Sequence, residues 1–275
     1  MPVPGTNVGA QFCRMGLSLT PGSRKSGETL GDVRNLSRVA ACPAGPLEAP
    51  PMAPHDTLSE QHVMKTRLCL VRHGETAWNA EQRLQGHLDI PLNPTGEAQA
   101  LATAASLATE HFAAVYCGDL QRARQTAAAI SRQRTSRIEY QPRLRERHYG
   151  HFQGLTYAEA EARFPEDYRR FKQRDPDFIF PGGGESLNGF AQRVADVLAQ
   201  VAVSHAGEQA LIVTHGGVLD IVHRLASGKP LDAPRDFTIP NAALNWIEYD
   251  GSHWHLVSWA DKRHLEAARD ELPNA

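Results

Sequence analysis

No apolar run in this chain of 275 residues approaches the roughly 18 that a membrane-crossing helix needs, so no segment reads as a span. Nor does an apolar stretch of about 7–15 residues follow a basic start, as a secretory signal requires. Cysteine is scarce: Cys13, Cys42, Cys69 and Cys117 form no CxxC pair. Cys69 and Cys117 stand in apolar runs and read as small buried hydrophobes, which fits a reduced, cytoplasmic compartment. An excess of one charge is lacking too. The 29 Lys and Arg against 31 Asp and Glu leave a net charge of −2, with no basic block. That argues against nucleic-acid and polybasic membrane partners. Any anion site must be a local concentration of Arg on a nearly neutral body. The remaining composition, 41% hydrophobic and 22% charged, is that of a globular protein long enough for a substantial core.

Residues 1–63 hold eight Pro, seven Gly and one aromatic, Phe12, with five basic and five acidic residues. No apolar periodicity there is long enough to offset the entropy of ordering. We expect a disordered extension, or upstream sequence that is not naturally translated. A transit peptide fits less well, because acids accompany the Arg and Ser. Met64 opens MKTRLCLVRHGET, where a strand begins at once. The folded domain is placed at 64–265, with a flexible tail at 266–275.

From residue 65 the pattern alternates strand and helix. Short apolar runs at 68–71, 113–117, 137–140 and 210–214 read as strands. A helix is expected after Asn93-Pro94, capped by Thr95, with Leu101, Ala104, Ala105 and Ala108 inward. Asp119 is expected to cap a second helix, with Leu120, Ala123, Ala127 and Ile130 on its stripe. Ser186 caps a long third helix that buries Leu187, Phe190, Val194, Val197 and Val201. A fourth, after the strand at 210–214, turns Val218, Ile221, Val222 and Leu225 inward. Asp250-Gly251 reads as a hairpin turn between strands at 243–249 and 253–259. Short unbroken strands between helices indicate α/β: a three-layer α/β/α sandwich with a mostly parallel sheet. Ligands in such sheets bind beyond the carboxyl ends of the strands.

Two segments share a pattern: Cys69-Leu70-Val71-Arg72-His73-Gly74 and Leu211-Ile212-Val213-Thr214-His215-Gly216. Each is an apolar strand followed by a polar residue, His and Gly. If the two strands are parallel neighbours, both imidazoles emerge together at the carboxyl edge. The glycines would let the chain turn and a ligand approach the backbone. Arg72 precedes His73, and Arg122 lies in the first turn of the second helix, off its apolar stripe. Two guanidiniums with two imidazoles suit a tetrahedral dianion, because Arg offers forked donors to phosphate oxygens. Glu146 lies in a charged stretch without helical periodicity. If that stretch is extended, Glu146 points away from Arg145 and Arg147; a solvated surface loop is the plainer alternative.

These residues resemble a known family. Arg72-His73-Gly74-Glu75-Thr76, followed by Trp78-Asn79, is similar to the signature of the histidine phosphatase superfamily, which includes the cofactor-dependent phosphoglycerate mutases. The likeness continues in order through Gln85-Gly86, Pro91-Leu92-Asn93, Asp119 to Ala127, Glu146 to Gly150, Gly184-Glu185-Ser186 and Thr214 to Gly217. The resemblance implies that His73 is the nucleophile and that Arg72, Arg122 and His215 complete the phosphate pocket. It implies Glu146 as proton donor, with Asn79, Gln85, Gly86 and Gly216 lining the substrate site. Gly118 stands where many relatives have Ser.

The implied activity is phosphomonoester hydrolysis of a small phosphorylated metabolite through a phosphohistidine. His215 would be protonated against the phosphate. No cofactor and no metal are called for, since Asp and Glu do not cluster at ligand spacing. The spelling Glu146-Arg147-His148-Tyr149 is that of the mutases, so a mutase is the first alternative. A phosphohistidine-protein phosphatase and a non-catalytic phosphate-binding module are the others. The short segment between Gly154 and Gly182 argues against the mutase. An aromatic insertion at about 152–182, with Tyr157, Phe164, Tyr168, Phe171 and Phe178, reads either as a helical cap over the pocket or as simple core packing. Oligomeric state is not legible, and a homodimer is left open.

Overall fold

The computed structural model describes residues 64–265 except 133 and 136. The expected disordered extension at 1–63 and flexible tail at 266–275 lie outside the described residues. Six strands form one sheet: β1 (Thr66–Arg72), β2 (Ala114–Cys117), β3 (Ile138–Tyr140), β4 (Gln209–Thr214), β5 (Leu244–Tyr249) and β6 (Trp254–Asp261). Their order is β3-β2-β4-β1-β5-β6. β1, β2, β3 and β4 are mutually parallel, and β5 and β6 return antiparallel. The last two are joined by the expected turn, with Gly251 at φ 93° and Asp250 Oδ1 accepting from the backbone N–H groups of Ser252 and His253.

Side-chain alternation divides each central strand between two cores. Leu68 and Leu70 of β1, with Ala210 and Ile212 of β4, face α6 (Leu187–Ser204) and α7 (Gly216–Ser227). Cys69, Val71, Leu211 and Val213 face the opposite layer, which includes α3 (Gln121–Ser131). Burial on both faces is why these strands are continuous apolar runs. Cys69 and Cys117 are free and fully buried. The architecture is the expected sandwich.

Local details differ at two helix starts. α2 (Pro94–Ser106) is capped by Asn93, whose side chain accepts from Gly96 N, while Thr95 lies inside the first turn with Pro94 leading it. Its buried face carries Gly96, Gln99, Ala100 and Thr103, and Leu101 is exposed. Alanine-rich helices give a weak apolar stripe, and the buried face of α2 is rotated from the expected one. The N-cap position of α3 is Leu120, so the helix begins without a side-chain cap. Asp119 is instead taken by Arg145, which donates to both carboxylate oxygens at 2.6 Å. The inward residues of α6 and its Ser186 cap are as expected; in α7 Leu225 is exposed while Val218, Ile221 and Val222 are buried.

Candidate active site

β1 and β4 are parallel neighbours with Arg72 opposite Thr214, so His73 and His215 leave the sheet side by side. His73 N donates to Thr214 O at 2.9 Å, and the imidazole centroids stand 5.2 Å apart with planes at 58°. The glycine after His73 acts by close packing. A β-carbon on Gly74 would lie 2.4 Å from Gly96 O, and Gly216 is the first residue of α7.

His73 Nδ1 lies 2.7 Å from Gly74 O. A carbonyl can only accept, so Nδ1 carries the proton and Nε2 keeps its lone pair. Burial, then Arg122, holds both His73 and His215 well below the ordinary imidazole range, with Arg72 next for His73 and the His73 ring next for His215. A neutral His73 is the form that can attack. In the free site burial and Arg122 lower the basicity of His215, and the protonated form expected from the sequence belongs to the phosphate-bound state. Both His215 nitrogens are buried without a hydrogen-bond partner. A β-carbon on Gly118 would lie 2.9 Å from His215 Nε2, so glycine here removes any side chain that could engage it.

Arg122 is fully buried, donating to Leu88 O at 2.9 Å and Gly86 O at 2.8 Å while its Nε has no partner. Arg72 is tied to Ile239 O at 2.6 Å. Arg72, His73, Arg122 and Glu146 line one small cavity of about 30 Å³, together with Asn79, Gln85 and Tyr149. Gln85 Nε2 donates to Thr76 Oγ1, leaving its buried Oε1 without a partner. Gly86 joins through its carbonyl on Arg122 and is not among the residues lining the cavity.

Glu146 is gripped from both sides. Arg147 N donates to Oε1 at 2.7 Å and Gly217 N to Oε2 at 2.9 Å. A β-carbon on Gly217 would lie 2.1 Å from Oε1, so only glycine lets this backbone approach the carboxylate. Three positioning residues escaped the sequence reading. Arg193 donates to the carbonyls of Arg143, Arg145 and Glu146 and pairs with Glu185, whose Oε2 also accepts from His148 N. His87 Nε2 meets Glu146 O at 2.8 Å. Asn241 Nδ2 donates to His73 O at 3.0 Å. Arg193 reads as a solvated helix residue, and Asn241 matters only once β5 is known to pair with β1.

Within the insertion at 152–182, α4 (Tyr157–Arg163) and α5 (Pro165–Lys172) pack Phe152, Ala160, Phe178 and Phe180 into a separate small core with Leu84 and Tyr149. Tyr157 also lines the small cavity around His73. The segment is therefore both a core of its own and a wall of the site. Among the described residues, no group of three His, Cys, Asp or Glu is placed to hold a metal, and no helix is long and apolar enough to cross a membrane.

The chain is similar to several known proteins. A model of the histidine phosphatase superfamily (branch 1) matches residues 68–262. Phosphoglycerate mutase-like protein 4 of Arabidopsis thaliana is 40% identical over 203 residues, covering 72% of this chain and 86% of its own. The metal-independent phosphoserine phosphatase of the same plant is 39% identical over 204 residues, covering 74% and 84%. The solved structure of Bacillus stearothermophilus YhfR matches with a TM-score of 0.69 at 33% identity, over 73% of this chain and 100% of its own.

Proposed function

The chain belongs to the histidine phosphatase superfamily, and from that premise we propose that it is a metal-independent phosphomonoesterase acting on a small phosphorylated metabolite through a phosphohistidine on His73. The observation that carries this reading is the fixed tautomer of His73: Nδ1–H is spent on Gly74 O, and Nε2 shares a cavity with two guanidiniums and a carboxyl.

In the first step the Nε2 lone pair forms a bond to phosphorus while the ester P–O bond breaks. Glu146, carrying a proton at that moment, gives it to the departing alkoxide oxygen. In the second step water attacks phosphorus, the P–N bond breaks, and the water proton passes to Glu146. Arg72 and Arg122 stabilise the equatorial oxygens in both steps. Their carbonyl tethers fix them beforehand, which is how electrostatic positioning lowers a phosphoryl-transfer barrier. His215, neutral in the free site, offers one N–H and takes up a proton only if a bound dianion raises its basicity.

The mutase alternative is supported by the 40% identity to phosphoglycerate mutase-like protein 4. One experiment separates the two. With 3-phosphoglycerate and a trace of 2,3-bisphosphoglycerate, phosphate release should outrun isomerisation. Faster isomerisation would make the chain a mutase. Activity should persist in EDTA, and acid-labile, base-stable phosphate should be trapped on His73 by rapid quench.

A further inference from the structure

α2 and α3 each turn a polar side chain, Gln99 and Thr126, onto a buried face. Burying an amide or a hydroxyl is unfavourable unless hydrogen bonds replace those lost to water. Both side chains reach the same short stretch, the two peptide groups that follow His73. The first joins His73 to Gly74. Its carbonyl accepts from Asn241 Nδ2 at 3.0 Å, and its N–H donates to Thr126 Oγ1 at 3.1 Å. The Thr126 hydroxyl donates in turn to Arg122 O at 2.8 Å, so a lone pair is what meets Gly74 N–H. The second peptide joins Gly74 to Glu75. Its N–H donates to Gln99 Oε1 at 2.8 Å, and its carbonyl is the one 2.7 Å from His73 Nδ1.

Across a trans peptide the N–H and C=O point in opposite directions. Holding Glu75 N–H on Gln99 therefore aims Gly74 O at the imidazole. Gly74 does little to set this orientation, because glycine restricts its own dihedrals least. Neither Gln99 nor Thr126 is among the residues lining the small cavity around His73. We propose that Gln99 and Thr126 are positioning residues that set the tautomer of the nucleophile by orienting the two peptides on which its ring closes. Without the Gln99 acceptor the second peptide can rotate and Nδ1–H loses its partner. Part of the population then carries the proton on Nε2, where attack needs a lone pair. This rests on the His73 nucleophile of the reading above.

Two substitutions test this. Gln99→Met keeps length and removes the acceptor, and Thr126→Val keeps shape and removes the hydroxyl. Each should lower kcat roughly tenfold to a hundredfold with KM nearly unchanged, as small misplacements of a reacting group do. Gln99→Glu and Thr126→Ser, which retain an acceptor, should recover most of the loss. The readout that lost packing alone would not move is the tautomer. In protein carrying isotope-labelled histidine, proton–nitrogen correlations across the ring show which nitrogen is protonated, and the His73 signals are those missing from His73→Ala. The wild type should show Nδ1–H alone, and Gln99→Met a mixture of both forms. A folded Gln99→Met with the wild-type tautomer, or with the wild-type kcat, overturns the proposal. If Gln99→Met does not fold, Thr126→Val decides by the same two measurements. If the wild type hydrolyses no ester, the phosphatase reading fails by itself. The spectra then decide alone: mixed forms in the variants support the role of these side chains, and the wild-type form overturns it.

Discussion

Around His73 the side chains are tied to backbone: Arg72 to Ile239 O, Arg122 to Leu88 O and Gly86 O, Glu146 to two N–H groups. Across the cleft the 152–180 wall is held by rings instead. Phe152 stacks with Phe164 at 5.8 Å and meets Phe180 edge-on at 5.1 Å, and Arg147 sits 4.7 Å over Phe180. Directional bonds fix charges to a few tenths of an ångström, as phosphoryl transfer demands. Ring packing excludes water and tolerates changes of shape. One side suits the invariant part of a substrate, the phosphoryl group, and the other its variable part.

The largest effect expected is from His73→Ala, which removes the nitrogen proposed to attack. A fall in kcat on the order of 10⁴-fold with an unchanged melting temperature is expected; near-full turnover would refute the nucleophile. Gly217→Ala comes next. Its β-carbon would displace the Glu146 carboxyl, and a loss of about 10²-fold is expected for alkyl esters, with much less for 4-nitrophenyl phosphate, whose leaving group needs no proton. Equal losses on both would detach Glu146 from leaving-group protonation.

Phe152→Ala tests the other side of the comparison. The ring is fully buried, so roughly 3–5 kcal/mol of stability should be lost in chemical denaturation. KM should rise for esters while inhibition by vanadate, bound on the tethered side, changes little. A parallel loss of both would mean that the cap also shapes the phosphate pocket. The smallest effect is in pH. Burial lowers the basicity of His73, His215 and His223, the last to about 4. Unfolded, these imidazoles take up protons near pH 6.5. Stability should therefore be full above that value and decline as pH falls below it. Melting at pH 7.5 and 5.0 checks this, and His215→Asn should flatten the slope.

Much of this was legible early. The two apolar-strand-His-Gly segments announce neighbouring strands, because continuous apolar runs belong to doubly covered sheets and their ends are where side chains can meet a ligand. Arg122 stood out as a cation in the first turn of α3, off the apolar stripe. What escaped was of another kind. Asn93 displaced Thr95 as cap because both can cap and only geometry chooses. Asp119 went to Arg145, a pairing that no local pattern encodes. Arg193, His87 and Asn241 look like ordinary polar residues until distant segments bring carbonyls to them.

Taken by itself, the order of residues determined the alternating sandwich, the sheet edge that bears the chemistry, and the residue types needed to hold a tetrahedral dianion. Those follow from periodicity and from donor chemistry, which are local. Tertiary structure alone decided the tautomer of His73, the lowered basicity of His215 and the backbone grip on Glu146. Each depends on burial and on contacts between segments far apart in the chain, where the field at an atom is set by whatever folding brings near.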